Sequence, residues 1–236
     1  MAWSRHVDAR GSCRSYAKVI EIITMDNYTQ VDFKRSALIT IDTQLDTLDG
    51  QPLEIPGTSA ALPNMLKLLQ AFRERGLLIV HIVRIYKRDG TNVDLCRRRI
   101  VEGGAQMLLE GHPGCELADT LFPYATVCLD HELLLSGGIQ SIGQNESIIY
   151  KSRWGAFYKT PLEEHLRKAG VNSLVFSGCN FPNCPRTSIY EASERDFRIA
   201  LAEDAISGLY PKGKSELENV GVLVATTKEL LNELQA

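Results

Sequence analysis

Short runs of almost wholly apolar residues alternate along this chain with segments whose apolar positions recur every three or four residues. Residues 37–42 form the first apolar run and end in an acid, Asp42. Residues 59–75 place Leu62, Met65, Leu66, Leu69 and Phe72 on one helical face, and Gly76 follows where a helix would stop. Residues 77–83 read as a second buried strand, with His81 inside it as a satisfied core residue. Residues 84–146 break the rhythm. They hold a short helical piece near 94–101 and many glycines, which predicts a long excursion over one end of a sheet. The rhythm returns as a strand over 147–150, a helix over 161–169, a strand over 171–177, a helix over 185–195 and a strand over 197–202. One or two closing helices are predicted over 214–234.

Strands buried on both faces and separated by helices predict an α/β fold. It has three layers: a mostly parallel open sheet with helices on both faces. Ligands of such sheets bind beyond the carboxyl ends of the strands. Three reactive side chains fall at those ends: Asp42, Lys151 and Cys184.

Composition narrows the function classes. A net charge of −3 with no long basic block argues against a nucleic-acid partner, and Arg97-Arg98-Arg99 reads as a solvated helix face or a pocket rim. No apolar stretch is long enough to span a membrane. The six cysteines are scattered without a CxxC pair, which argues against a zinc site or a disulfide framework and fits a reducing cytoplasm.

Cys184 follows an apolar run that ends in Gly178 and a bend containing Pro182, and Pro185 comes next at a first helical position. The thiol would then open a helix, facing unpaired N–H groups and the positive end of the dipole, a setting that lowers a thiol pKa. A buried structural cysteine is the alternative. None of the five histidines is an obvious base. An acid and a lysine at neighbouring strand ends offer another way to move the proton and hold the charge.

Three segments together resemble the isochorismatase-like cysteine hydrolases. Residues 37–44, ending Asp42-Thr43-Gln44, resemble that family's hydrophobic-D-x-Q motif. Lys151-Ser152-Arg153-Trp154-Gly155-Ala156-Phe157 is similar to its K-x-x-x-[SG]-A-F motif, and Gly178 to Cys184 to its nucleophile turn. The spacings fit as well, at 109 residues from Asp42 to Lys151 (151−42) and 33 from Lys151 to Cys184 (184−151). The likeness runs over roughly residues 35–231 and implies a flavodoxin-like α/β fold. It divides the chain into a dispensable N-terminal extension, 1–30, and a hydrolase domain, 31–236.

The resemblance implies Cys184 as nucleophile, Asp42 as general base and acid, and Lys151 as electrostatic anchor. It also implies a cis peptide at Cys179–Asn180, which would aim the Asn180 and Cys184 N–H groups at one oxyanion. The implied substrate is a small amide or carbamoyl compound, and the implied assembly is a homodimer or homotetramer. Trp154, Phe157, Phe181 and Tyr86 are expected to wall the pocket, with Arg84 pairing a substrate carboxylate.

Departures from the family pattern restrict the reaction. Relatives that hydrolyse nicotinamide carry a metal-binding Asp and two His after the second strand. Residues 82–89 hold no such cluster, so no metal and no cofactor is expected. Thr47, Phe181 and Pro185 replace a commoner aromatic, small residue and Val. True isochorismate hydrolases lack the cysteine, so Cys184 argues against cleavage of a vinyl ether. Two other classes stay open: a silent member of the fold, and a redox-sensing thiol protein with Cys179 as resolving partner of Cys184.

Overall fold

The computed structural model describes residues 27–124 and 127–235. Residues 1–26, most of the expected extension and all of Cys13's surroundings, lie outside the described residues. Seven strands form one sheet: β1 (Ser36–Ile41), β2 (Leu78–Val83), β3 (Ile139–Gly143), β4 (Glu146–Tyr150), β5 (Ser173–Gly178), β6 (Arg198–Ile206) and β7 (Leu223–Ala225). Their order is β3-β4-β2-β1-β5-β6-β7. Every pairing is parallel except β3 with β4.

The helices are α1 (Thr58–Glu74), α2 (Leu95–Glu102), α3 (His131–Leu135), α4 (Leu162–Lys168), α5 (Cys184–Ser193), α6 (Pro211–Glu218) and α7 (Thr227–Gln235). They cover both faces because consecutive strand residues point to opposite sides and both sides are apolar. In β1, Ala37, Ile39 and Ile41 pack with Leu162 and Leu166 of α4 and Ile189 of α5. Leu38 between them packs with Met65, Leu69 and Phe72 of α1 and Leu230 of α7. This is the three-layer arrangement read from the periodicity.

His81 of β2 is fully buried on the α1 side and hydrogen-bonded on both ring nitrogens, to Thr40 Oγ1 and Glu146 Oε1, each at 2.8 Å. Arg73 of α1 grips the same carboxylate with two bonds of 2.7 and 2.8 Å. The polar strand residue is thus fully satisfied inside an apolar layer.

Three elements depart from the periodicity. The excursion after β2 ends in β3, an edge strand antiparallel to β4. The closing segment holds a strand, β7, between its two helices, and β6 runs four residues past its expected end at 202. The edge strands β3 and β7 are each covered on little of their surface, so their apolar signal is thin.

Candidate active site

The first parallel strand ends in a constrained turn. Asp42 takes a left-handed conformation, φ +49°, which Asp tolerates better than most side chains. Three donors converge on its carbonyl and hold it there: Gln44 N at 3.0 Å, Thr47 Oγ1 at 3.1 Å and Cys179 Sγ at 3.0 Å. Thr47, the departure from the family's aromatic, spends its hydroxyl on this turn. Gln44 ties the turn to the end of β2: its Oε1 accepts from Arg84 N at 2.8 Å and its Nε2 donates to Arg84 O at 2.8 Å.

Lys151 follows β4 directly, and its N–H donates to Val83 O at 2.9 Å. Its side chain has no solvent exposure, and Nζ meets Asp42 Oδ2 at 2.8 Å. A charged pair so deeply buried is costly unless each ion is neutralised by the other. The loop carrying Lys151 is anchored on α5, where Ala156 N donates to Ser188 Oγ at 3.0 Å and Phe157 N to Glu191 Oε2 at 2.9 Å.

Cys184 is the first residue of α5, with Pro185 next. It is 4% exposed, and it senses the charges of Asp42, Lys151 and Arg84. The strand-end acid, the lysine and the thiol therefore share one enclosed spot at the carboxyl edge of the sheet. Asp42 Oδ1, the second carboxylate oxygen, is buried without a hydrogen-bond partner. Cavities of about 550 Å³ and about 510 Å³ open elsewhere, beside Lys87 and Glu110 and beside Arg35 and Asn172, and no member of the cluster lines either.

Two expectations about the thiol need correction. Its pKa is raised rather than lowered: burial pushes it up first, the charge of Asp42 adds to that, and Lys151 and Arg84 only partly oppose them. The helix N-terminus does not overcome removal from water and a neighbouring carboxylate. The Cys179–Asn180 bond is trans. The bend is made by Gly178 instead, at φ +121°, and closed by Phe181 N donating to Ser207 O at 2.8 Å and Asn183 N to Asn180 O at 3.1 Å.

The five expected pocket residues divide. Arg84 touches the thiol, and Tyr86 and Trp154 gather around Arg84. Arg84 is 1% exposed, with Nη2 3.8 Å from Cys184 Sγ, and its guanidinium lies 5.8 Å from the Tyr86 ring and 5.4 Å from the Trp154 ring. Phe157 and Phe181 serve the core instead. Phe157 packs on Phe197, before the start of β6, with ring centroids 5.9 Å apart. Phe181 meets the Tyr210 ring edge-on at 5.5 Å, and Gly213 leaves room for it, since a Cβ there would sit 2.5 Å from the Phe181 ring. An apolar ring beside a motif is drawn to the nearest apolar layer, and in both cases that layer is the core.

Asp94 is the residue that sequence reasoning missed. It stands at the N-cap of α2 yet makes no capping bond. Its Oδ2 instead accepts from Arg84 Nη1 at 2.6 Å and Tyr86 OH at 2.7 Å, and Arg97 Nη1 lies 3.4 Å away. Burial works against its charge, but Arg84, Tyr86 and Arg97 hold its carboxyl below the usual range. The only signal was an acid just before a helical pattern, which ordinarily reads as a cap.

Comparison with known proteins agrees with this architecture. Residues 139–228 match the model of the isochorismatase domain. The chain is 27% identical over 209 residues to an Arabidopsis thaliana protein named a probable inactive nicotinamidase, covering 86% of this chain and 97% of that one. It is 26% identical over 182 residues to a maleamate amidohydrolase of Pseudomonas putida, covering 73% and 72%. The crystal structure of an isochorismatase family protein from Desulfovibrio vulgaris superposes with a TM-score of 0.72 at 26% identity, over 86% of this chain and 99% of that one. In its fold, in the domain matched by residues 139–228 and in these relatives, the chain is similar to the isochorismatase family of hydrolases.

Proposed function

We propose that this protein is a cysteine amidohydrolase that cleaves a non-peptide C–N bond of a small amide or carbamoyl compound. One observation carries the reading: a fully buried Lys151–Asp42 ion pair, at the ends of two strands, lies against a thiol that opens a helix. Burying an ion pair beside a neutral thiol is a poor choice for stability alone. It suits a site that must move one proton and hold the charge left behind.

In this mechanism Cys184 rests as the neutral thiol. Asp42 Oδ1, which has no other partner, accepts the Sγ proton as the sulfur attacks the substrate carbonyl carbon. Lys151 stays on Oδ2 and keeps the carboxyl oriented. The carbonyl π electrons move to oxygen, and the tetrahedral oxyanion takes the Cys184 N–H, one of the unbonded donors at the start of α5. Asn180 N–H makes no bond within the protein among the described residues, but with a trans Cys179–Asn180 bond nothing aims it at the oxyanion, and Cys184 N–H is the donor this mechanism uses. The C–N bond breaks as the protonated Asp42 returns the proton to nitrogen, leaving an acyl thioester. Water then attacks with Asp42 again as base, and the acid product and the free thiol are released. Tyr86 and Trp154 wall the substrate side.

The redox alternative is less well supported. Cys179 is fully buried, and its thiol is pushed up to about 12 by burial and by the charge of Asp42. A thiol held neutral is a slow resolving partner. A silent member of the fold remains the competing reading, and the name of the Arabidopsis relative favours it.

An ammonia-release screen over small amides, ureas and carbamoyl acids decides between them. It should be run in excess EDTA, with Cys184→Ala as the blank. Turnover that persists in chelator and disappears in the variant is expected. Equal turnover by Cys184→Ala would remove the cysteine from the reaction, and turnover recovered only with added divalent metal would overturn the metal-free reading.

A further inference from the structure

The geometry points to Arg84 as a catalytic residue: a second cation, beside Lys151, that receives the negative charge on Cys184 sulfur when the thiol proton leaves. The inference rests on the proposed role of Cys184 as nucleophile and replaces the expected pairing of Arg84 with a substrate carboxylate.

Both terminal nitrogens of the guanidinium are engaged, while its Nε is buried without a hydrogen-bond partner. Nη1 is held by Asp94 Oδ2 at 2.6 Å and reaches Ser152 O at 3.3 Å. Nη2 donates to Arg153 O at 2.6 Å, and its remaining neighbour is Cys184 Sγ at 3.8 Å. The main chain beneath is clamped in both directions by Gln44. A substrate carboxylate could reach the unpartnered Nε singly, but a bidentate grip would have to displace Asp94 from Nη1 or the Arg153 carbonyl from Nη2. The sulfur needs no displacement, because it already sits against Nη2.

Charge bookkeeping explains why a second cation belongs there. Asp42 pairs with Lys151 and Asp94 with Arg84 while the thiol is neutral, and Arg97 is a further, partly exposed cation 3.4 Å from Asp94. Moving the Sγ proton to Asp42 leaves the sum unchanged but shifts the negative charge from the carboxylate at Lys151 to the sulfur at Arg84. Without Arg84 that charge would arrive at a buried atom opposed by the Lys151 ammonium alone, which Asp42 already shares. The groups facing the sulfur are Asp42, Lys151, Arg84 and the neutral Cys179. Those facing Arg84 are Asp42, the Cys184 thiol, Tyr86, Asp94 and Arg97. The coupling acts on both partners, since the charge of Arg84 lowers the Cys184 pKa and a Cys184 thiolate raises that of Arg84.

The test is the pH profile of Cys184 alkylation by iodoacetamide on the full chain. It is read at the Cys184 peptide by mass spectrometry, because Cys96 and Cys128 are exposed and also react. The rate at pH 7 is taken relative to the high-pH plateau, which cancels changes in access. Arg84→Met should lower this ratio about tenfold and move the midpoint to higher pH, the consequence of removing an opposite charge at contact distance. Arg84→Lys should restore part of the ratio, since it keeps the charge and loses the fork. Arg84→Met/Asp94→Asn removes the ion pair as a neutral unit and should shift the profile in the same direction; it guards against a fold weakened by an unpaired Asp94. An unchanged profile in any folded Arg84 variant that lacks the positive charge overturns the inference. The assay needs no substrate, so failure of the amidase screen with a shifted profile would sink the proposed function and leave this role standing.

Discussion

Replacing Lys151 by Met should destabilise the protein far more than loss of one salt bridge usually does, and the reason lies in what is left behind. Lys151 Nζ and Asp42 Oδ2 are 2.8 Å apart, and the side chains are 0% and 9% exposed. At an effective dielectric of about 20, two unit charges at that distance attract by about 6 kcal/mol. Most of this is offset by the cost of taking both ions out of water, so the pair as a unit contributes little. Met removes only the favourable half. Asp42 Oδ1 already lacks a partner, and Oδ2 would then lose the one side-chain donor it has among the described residues. The carboxylate would sit buried and uncompensated, which costs about 3–5 kcal/mol. The assay is a double-mutant cycle in urea followed by far-ultraviolet circular dichroism, with Lys151→Met, Asp42→Asn and the double variant. Each single variant should be markedly less stable, and the double variant should lose less than their sum by about 2 kcal/mol. If Lys151→Met cost under about 1 kcal/mol, the value typical of exposed pairs, the ion pair would not be the buried, mutually dependent unit on which the mechanism relies.

Two further outcomes follow from the sheet. Glu146 is buried, which alone would raise its pKa, but hydrogen bonds from Arg73 and His81 outweigh that and bring it from 4.5 down to about 2. A depressed folded-state pKa contributes stability above the unfolded value, and this is lost as the pH falls from about 4.5 towards 2. Glu146→Gln should therefore cost about 3 kcal/mol at neutral pH and flatten this part of the acid limb. Urea midpoints at pH 6, 4 and 3 measure it, and an acid limb as steep as the wild type's would contradict the assignment. Gly178→Ala should lower the melting temperature by more than about 6 °C. The reason is that Gly178 sits at φ +121° and an added Cβ would meet Ile41 O at 2.2 Å, so β1 and the nucleophile turn cannot both keep their places. A melting temperature within a degree or two of wild type would show that this contact relaxes freely.

Much of the fold was legible in the chain because the signals are local. Alternation in residues 37–41 with apolar side chains on both parities predicts a strand covered on two faces, and Ile39 and Leu38 do enter opposite layers. The period of α1 and the stop at Gly76 follow from spacing and from one left-handed glycine. The edge strands β3 and β7 escaped because a strand covered on so little of its surface needs few apolar residues. The placing of Asp42, Lys151 and Cys184 at strand ends was likewise readable, since each directly follows a strand or opens a helix after one.

What each of those groups meets was not readable. Asp94 carried no distinguishing signal at the start of a short helical piece, and in the folded chain its carboxylate turns to Arg84 and Tyr86. Phe157 and Phe181 looked like pocket walls and instead fill the core beside Phe197 and Tyr210. The thiol at a helix start was expected to ionise readily, and burial against Asp42 pushes it the other way. The difference has one physical cause. Backbone periodicity is set by neighbours three or four residues away. A charge, thiol or ring responds to whatever the tertiary fold brings within a few ångströms, and to how much water it removes.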